Sequence, residues 1–148
     1  MIHVLTSPSC ASCRKVHSGL THYQIPFVEK DISKVALEIE ELKFILSLTE
    51  NVVDDILSKR SKIYQTLNID FEQLSLKQTL DLIIEHPYLL RRPISYNQNK
   101  LIVGFNEDDI RIFLPNEVRV VQRRELLKNN VIFLNRDFFS EKYLKKIE

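Results

Sequence analysis

The chain has 148 residues, of which 44% are hydrophobic, so it is long enough to bury the core of one domain. Its 21 Lys and Arg residues nearly balance 20 Asp and Glu residues, and the formal net charge of +1 excludes a global attraction to nucleic acid or anionic lipid. No stretch approaches the ~18 uninterrupted apolar residues of a membrane span, and the N-terminus lacks the pattern of a signal peptide. We therefore expect a cytoplasmic protein with no membrane association.

The start of the chain predicts a strand–helix–strand unit. IHVL at 2–5 and IPFVEKDI at 25–32 are typical of strands, and TSPS at 6–9 is typical of a turn. Apolar residues recur at helical spacing after Cys10, and Ser9 is placed to cap that helix. A short unit of this kind favours a parallel pair of strands with a right-handed crossover.

A helical block is predicted for the middle of the chain. Helical periodicity runs from about residue 36 to 48, and Thr49 is a suitable cap for a short helix over ENVVDDILSK at 50–59. Ser75 is the predicted cap of another helix that ends near residue 86.

The pattern then changes to that of a hairpin. PISY at 93–96 and KLIVGF at 100–105 flank the polar turn NQN, which predicts two antiparallel strands. Asn106 is the predicted cap of a last short helix that Pro115 ends.

The sequence contains two cysteines, Cys10 and Cys13, at the predicted start of the first helix. A helix N-terminus offers free N–H groups and the positive end of the helix dipole, and Arg14 and Lys15 add positive charge. These features predict a lowered pKa for the Cys10 thiol. Cys13 is close enough in sequence to attack a sulfenic acid or mixed disulfide formed on Cys10, so the pair predicts thiol–disulfide switching.

Other interpretations of the pair stay open at this point. Two buried structural sulfurs are common, and zinc could use Cys10, Cys13 and His17, although closed zinc sites take four ligands and no second cysteine pair exists. A strand–turn–CxxC–helix pattern with a later hairpin favours a thioredoxin-like redox fold. In that fold Pro93 stands where a cis proline faces the thiol, and Arg92 is expected to point toward the thiol pocket.

With these residues in place, the chain resembles the arsenate reductase-related superfamily, and most closely the Spx transcriptional regulators of low-GC Gram-positive bacteria. The resemblance spans about residues 1–120 and rests on TSPSCASCRK, IPFVEKDI, LTENVVDDILSKRSK, EHPYLLRRPI and VGFNEDDIRIFLP. It implies an α/β fold, with a thioredoxin-like mixed sheet and an inserted helical subdomain at about 34–86. We expect a domain over 1–118 and a C-terminal extension over 119–148.

The resemblance also implies a function. Such regulators bind the C-terminal domain of the RNA polymerase α subunit and switch on thiol-stress genes when the CxxC pair is oxidised, here as a Cys10–Cys13 disulfide. Contact with promoter DNA is expected only within the polymerase complex, and neither a metal nor another cofactor is expected. The expected polymerase-binding residues are Asn51, Val52, Asp54, Asp55 and Arg60.

An arsenate reductase linked to glutathione or thioredoxin is the alternative. Reductases similar to this chain hold an oxyanion with one thiolate and three arginines, and Arg14, Arg60 and Arg92 fall at the matching positions. Cys13 favours the regulator, because those reductases carry a hydroxyl residue at its position. In a regulator, we expect Arg92 to stabilise the oxidised pair or a neighbouring thiolate.

Two departures from the family pattern predict a diverged paralogue. Val52 stands where the regulators usually have glycine, and its β-branched side chain cannot allow the close backbone approach that glycine permits. We therefore expect an altered polymerase interface. The regulators typically end sooner, in small apolar residues recognised by the ClpXP protease, whereas this chain continues to Glu148, which leaves its turnover by that protease an open question.

Overall fold

The computed structural model describes the chain continuously over residues 1–114 and, beyond them, at residues 116, 119, 120, 123, 124, 127 and 128. The chain divides into two compact units, Met1–Phe113 and Leu114–Glu148. The strands and the candidate site lie in the first unit. The predicted extension over 119–148 falls largely outside the described residues, so its boundary stays a prediction.

A four-stranded mixed sheet lies at the centre of the first unit, with strand order β2-β1-β3-β4. β1 (Ile2–Thr6) pairs in parallel with β2 (Phe27–Asp31) and antiparallel with β3 (Ile94–Tyr96). β3 pairs antiparallel with β4 (Leu101–Val103). The predicted parallel pair and the predicted hairpin are both confirmed.

Helices cover both faces of this sheet. α1 (Ala11–His22) connects β1 to β2. α2 (Ile39–Ser47), α3 (Lys62–Leu67) and α4 (Leu76–Glu85) form the helical insertion between β2 and β3, and α5 (Glu107–Ile110) follows β4. None of the helices in the described part of the chain is long and apolar enough to cross a membrane.

Side-chain alternation along β1 divides the core in two. Ile2 and Val4 pack on one face with Val16 and Leu20 of α1, and Leu5 packs on the other face. The insertion supplies most of the second core, through residues that include Leu42, Ile45, Leu80 and Ile83. The insertion is therefore part of the thioredoxin-like body and not a separate globule.

The predicted helix over 50–59 is wrong. Residues 51–56 form successive turns, because the Asp55 carboxylate accepts the backbone N–H groups of Glu50 and Asn51 and Val52 has a φ of +49°. Thr49 Oγ1 donates to the Leu46 carbonyl, so Thr49 completes α2 instead of starting a new helix. The caps predicted for α4 and α5, Ser75 and Asn106, are confirmed.

Candidate functional site

The two cysteines lie at the beginning of α1. Cys10 is the N-cap residue, with extended backbone angles, and its Sγ accepts a hydrogen bond of 3.2 Å from the Cys13 backbone N–H. The prediction that Ser9 caps the helix is wrong, because Ser9 lies in the left-handed region with a φ of +59°. The sulfur of Cys10 is therefore the acceptor for one of the free N–H groups of the helix end.

Cys10 and Cys13 form a disulfide, with Cα atoms 5.2 Å apart, a separation normal for such bonds. Cys13 is buried, with 5% of its surface exposed, whereas Cys10 is partly accessible. An oxidant or a reducing thiol therefore reaches the Cys10 sulfur more easily than the Cys13 sulfur.

An open cavity of about 460 Å³ lies beside the disulfide. Its lining combines the loop that follows β1 with the first two turns of α1 and one residue of β2. Arg14 brings a cation to this wall and Glu29 a carboxylate, so the cavity suits a small polar group or the side chain of a thiol reagent. The other lining residues are Thr6, Ser7, Pro8, Ser9, Cys10, Cys13, His17 and Ser18.

Arg92 joins the cysteine loop to the segment before β3. Its Nη1 donates a hydrogen bond of 3.2 Å to Ser7 Oγ, and its guanidinium lies 4.8 Å from the centre of the Tyr88 ring. The Arg92–Pro93 peptide bond is cis, and Ser7 is buried three residues before Cys10. The side chain of Arg92 is thus held between the cysteine loop and an aromatic ring.

The turns at 51–56 are organised by Asp55. Its carboxylate accepts hydrogen bonds from the Asn51 and Glu50 backbone N–H groups at 2.9 and 3.0 Å and from Asn51 Nδ2 at 3.1 Å. The Asn51 backbone and side-chain hydrogen bonds hold the pKa of Asp55 below its usual value. Val52 projects from these turns with 49% of its surface exposed.

Backbone hydrogen bonds connect these turns directly to the segment that carries Arg92. The Ser58 N–H donates to the Leu89 carbonyl and the Arg91 N–H donates to the Ile56 carbonyl, both at 2.7 Å. Leu57 and Leu90 form the β-bridge between them. Sequence reasoning missed this connection, because a single bridge of two buried leucines leaves no periodic pattern in either segment.

Apart from Arg60, the predicted site residues therefore fall into two groups. Cys10, Cys13 and Arg14 lie at the disulfide cavity, with Arg92 hydrogen-bonded to its Ser7 wall. Arg60 is exposed in the loop before α3 and does not line that cavity. The other predicted partner-binding residues lie in the turns at 51–56: Asn51, Val52, Asp54 and Asp55. Asp54 also forms a 2.8 Å salt bridge with Lys59.

Residues 5–113 match the model of the ArsC family. The chain belongs to the ArsC family. It is 50% identical over 125 residues to the global transcriptional regulator Spx of Enterococcus faecalis and, equally, to that of Bacillus subtilis, covering 84% of this chain and 95% of each relative. The resemblance inferred from the sequence motifs is thereby confirmed, and this ArsC family member is Spx-like.

The fold is also that of solved ArsC family structures. An arsenate reductase from Vibrio cholerae superposes with a TM-score of 0.66 at 24% identity, over 76% of this chain and 97% of that one. At this identity the likeness concerns the fold alone. The Spx-like character of this ArsC family chain rests on the much higher identity to the regulators and on its pair of disulfide-bonded cysteines.

Proposed function

We propose that this chain is a redox-sensing transcriptional regulator that acts in the cytoplasm and binds the C-terminal domain of the RNA polymerase α subunit. The Cys10–Cys13 disulfide, formed under thiol stress, is the switch. The observation that carries the proposal is the continuous path of contacts from the cysteine loop through Arg92 to the turns at 51–56.

The oxidation needs only the two cysteines and a hydroperoxide. The Cys10 thiolate attacks a peroxide oxygen, the O–O bond breaks, and the sulfur becomes a sulfenic acid while the other oxygen leaves as water or alcohol after protonation. The Cys13 thiol then attacks the Cys10 sulfur, an S–S bond forms, and water leaves with the hydroxyl group and the Cys13 proton. Two electrons pass from the two sulfurs to the peroxide.

Disulfide formation changes the surroundings of Arg92. The bond fixes the Cys10 sulfur at the end of the loop that contains Ser7, and the Ser7 hydroxyl is a hydrogen-bond acceptor for Arg92. Any shift of Arg92 is carried by the Arg91 backbone to Ile56, next to Asp55. A coupling of about 1–3 kcal/mol between the redox state and the partner surface is enough for a usable switch.

The partner surface consists of the exposed residues of the turns and the loop that follows, from Asn51 to Lys62. Within this polymerase-binding surface, Val52 occupies the place that the resemblance assigns to glycine. Promoter DNA is contacted only when the polymerase is bound.

The test is the affinity of the purified C-terminal domain of the α subunit for the fully oxidised and the fully reduced protein, measured by calorimetry. We expect at least about fivefold tighter binding to the oxidised protein. A Cys10→Ser variant, which cannot form the disulfide, should show one affinity under both conditions. A Val52→Gly variant should bind more tightly in both states, and an absence of binding in either state would overturn the proposal.

An arsenate reductase, the alternative function, would need Cys10 but not Cys13. It requires turnover of arsenate with glutathione or thioredoxin, loss of that turnover in Cys10→Ser, and retention of most of it in Cys13→Ser. Arg60, one of the three arginines that this mechanism would use, does not line the disulfide cavity. We therefore expect no turnover from the wild-type chain.

A further inference from the structure

β2 is an edge strand of the sheet, and the backbone groups of alternate residues point away from β1. The Ile32 N–H donates to the Thr6 carbonyl of β1, so by the alternation of strand backbones Lys30 and Val28 also face β1. Phe27, Glu29 and Asp31 therefore present their N–H and C=O groups to the other side. Among residues 1–114, β1 is the one strand that pairs with β2.

One outward group is already satisfied. The Asp31 carbonyl accepts the N–H groups of Lys34 and Val35, which closes a turn at the end of the strand. Within residues 1–114, the outward N–H and C=O groups of Phe27 and Glu29 have no hydrogen-bond partner, which leaves them for a neighbouring chain. A row of this kind is a template for strand addition.

An apolar groove of about 660 Å³ lies beside this edge. Val28, Val35 and Phe44 contribute exposed apolar surface, with 49%, 52% and 40% of their areas accessible. The floor is aromatic: the Tyr96 ring is stacked 5.3 Å from the His3 ring and lies 6.0 Å from the Phe44 ring. An apolar side chain from an added strand would find a contact surface here that residues 1–114 leave open.

Carboxylates flank this edge on both faces of β2. Lys30 is engaged by Glu41 at 2.6 Å, and Tyr96 donates a 2.8 Å hydrogen bond to the other oxygen of that carboxylate. In the described part of the chain, the salt bridges leave Glu38 of the groove without an ionic partner. They also leave Glu29 without one, although its side chain alternates to the opposite face of β2, where it lines the disulfide cavity. These charges complement lysine or arginine.

We propose that the outer edge of β2 and this groove form a docking site for an extended basic segment of a partner protein. The segment adds a fifth strand through the backbone of Phe27 and Glu29 and inserts an apolar side chain between its basic residues. A second copy of the chain is the less suitable occupant, since it would bring the same unpaired carboxylates together, and like charges facing each other destabilise paired strands. The site lies on different elements from the polymerase-binding surface.

The probe is an acetylated, amidated pentapeptide Lys-Phe-Lys-Val-Lys, titrated into the ¹⁵N-labelled full chain and followed by NMR. We expect saturable shifts centred on Phe27 to Asp31 and on Phe44, with weaker binding at high salt. A charge-reversed peptide with Glu in place of each Lys should not bind. Equal binding of both peptides, or shifts elsewhere in the chain, would overturn the proposal.

Two variants at one position separate the backbone contribution from the charge. Glu29→Ala removes the carboxylate and keeps the outward N–H, whereas Glu29→Pro removes both. Proline is tolerated at an edge position whose N–H the sheet does not use, so both should melt at similar temperatures. We expect about tenfold weaker binding to Glu29→Pro than to Glu29→Ala, the upper range for one hydrogen bond. Equal affinities would exclude strand addition.

A side-chain variant keeps the proposal testable if the proline variant does not fold. Val28→Lys places a positive charge in the groove and should abolish binding of the basic peptide. Leu76→Lys, at a similarly exposed position on α4 outside the groove, is the matched control and should bind like the wild type. A concentration-dependent dimer in sedimentation that is lost in Glu29→Pro would identify a second copy as the occupant and contradict the proposal.

Discussion

At position 52, the variant with glycine should be more stable than the variant with alanine, which is the reverse of the usual order. Val52 has a φ of +49°, in the left-handed region that side chains with a Cβ rarely adopt. Glycine adopts this region without steric cost, whereas alanine keeps the Cβ. We therefore expect Val52→Gly to be more stable than Val52→Ala, although glycine normally destabilises a protein relative to alanine.

The magnitude follows from two opposing terms. A left-handed backbone costs an L-residue about 1–2 kcal/mol, which glycine avoids. Glycine also gives the unfolded chain more conformational freedom, which lowers the stability by about 0.4–1 kcal/mol relative to alanine. The difference favours Val52→Gly by about 1 kcal/mol, or a melting temperature about 3–5 °C higher for a domain of this size.

The assay is urea and thermal unfolding of both variants, followed by circular dichroism. Val35 provides a matched control, because it is equally exposed, at 52% against 49%, and its φ is not positive. At this control position alanine should be more stable than glycine. If Val52→Ala were as stable as Val52→Gly, the strain assigned to Val52 would be refuted.

Two further predictions concern the turns and the packing of α1. The lowered pKa of Asp55 means that its ionised form stabilises the fold above the unfolded-state pKa of about 3.9, and this contribution is lost as the pH falls through the lower folded-state pKa. Unfolding free energies measured from pH 5 down to pH 2 should fall less steeply in Asp55→Asn; identical slopes would contradict the role of Asp55. A Cβ on Gly19 would lie 2.8 Å from Ile110 Cδ1, so Gly19→Ala should be about 1 kcal/mol more favourable in an Ile110→Val background than in the wild type. Additive unfolding free energies in that double-mutant cycle would show that the two side chains do not compete for space.

The elements that the sequence predicted are those with a local chemical signal. Ser75 and Asn106 cap α4 and α5 as expected, because the preference for these residue types at helix starts reflects one hydrogen bond to a nearby N–H. The hairpin was predictable from two apolar runs around a polar turn. The cysteine pair was predictable as the candidate site for the same reason, since its residues are close in sequence.

The features that could not be predicted depend on contacts between distant segments. The turns at 51–56 contain enough helix-forming residues to predict a helix, yet the bridge between Leu57 and Leu90 and the hydrogen bonds to Asp55 hold them in another conformation. The Arg92–Ser7 hydrogen bond joins residues 85 positions apart. Neither contact partner leaves a pattern in a single sequence, although the position of Arg92 before Pro93 did predict that its side chain points toward the thiol pocket.

In the proposed switch, the disulfide and the turns at 51–56 are coupled through Ser7 and Arg92. The most direct measurement is amide hydrogen exchange of the oxidised and the reduced chain, with Cys10→Ser as the control that cannot switch. Reduction should change the exchange rates of amides in residues 51–58 and of Arg91 as well as those near the cysteines, and Ser7→Ala should weaken the distant change. Redox-dependent changes confined to residues 6–17 would contradict this coupling.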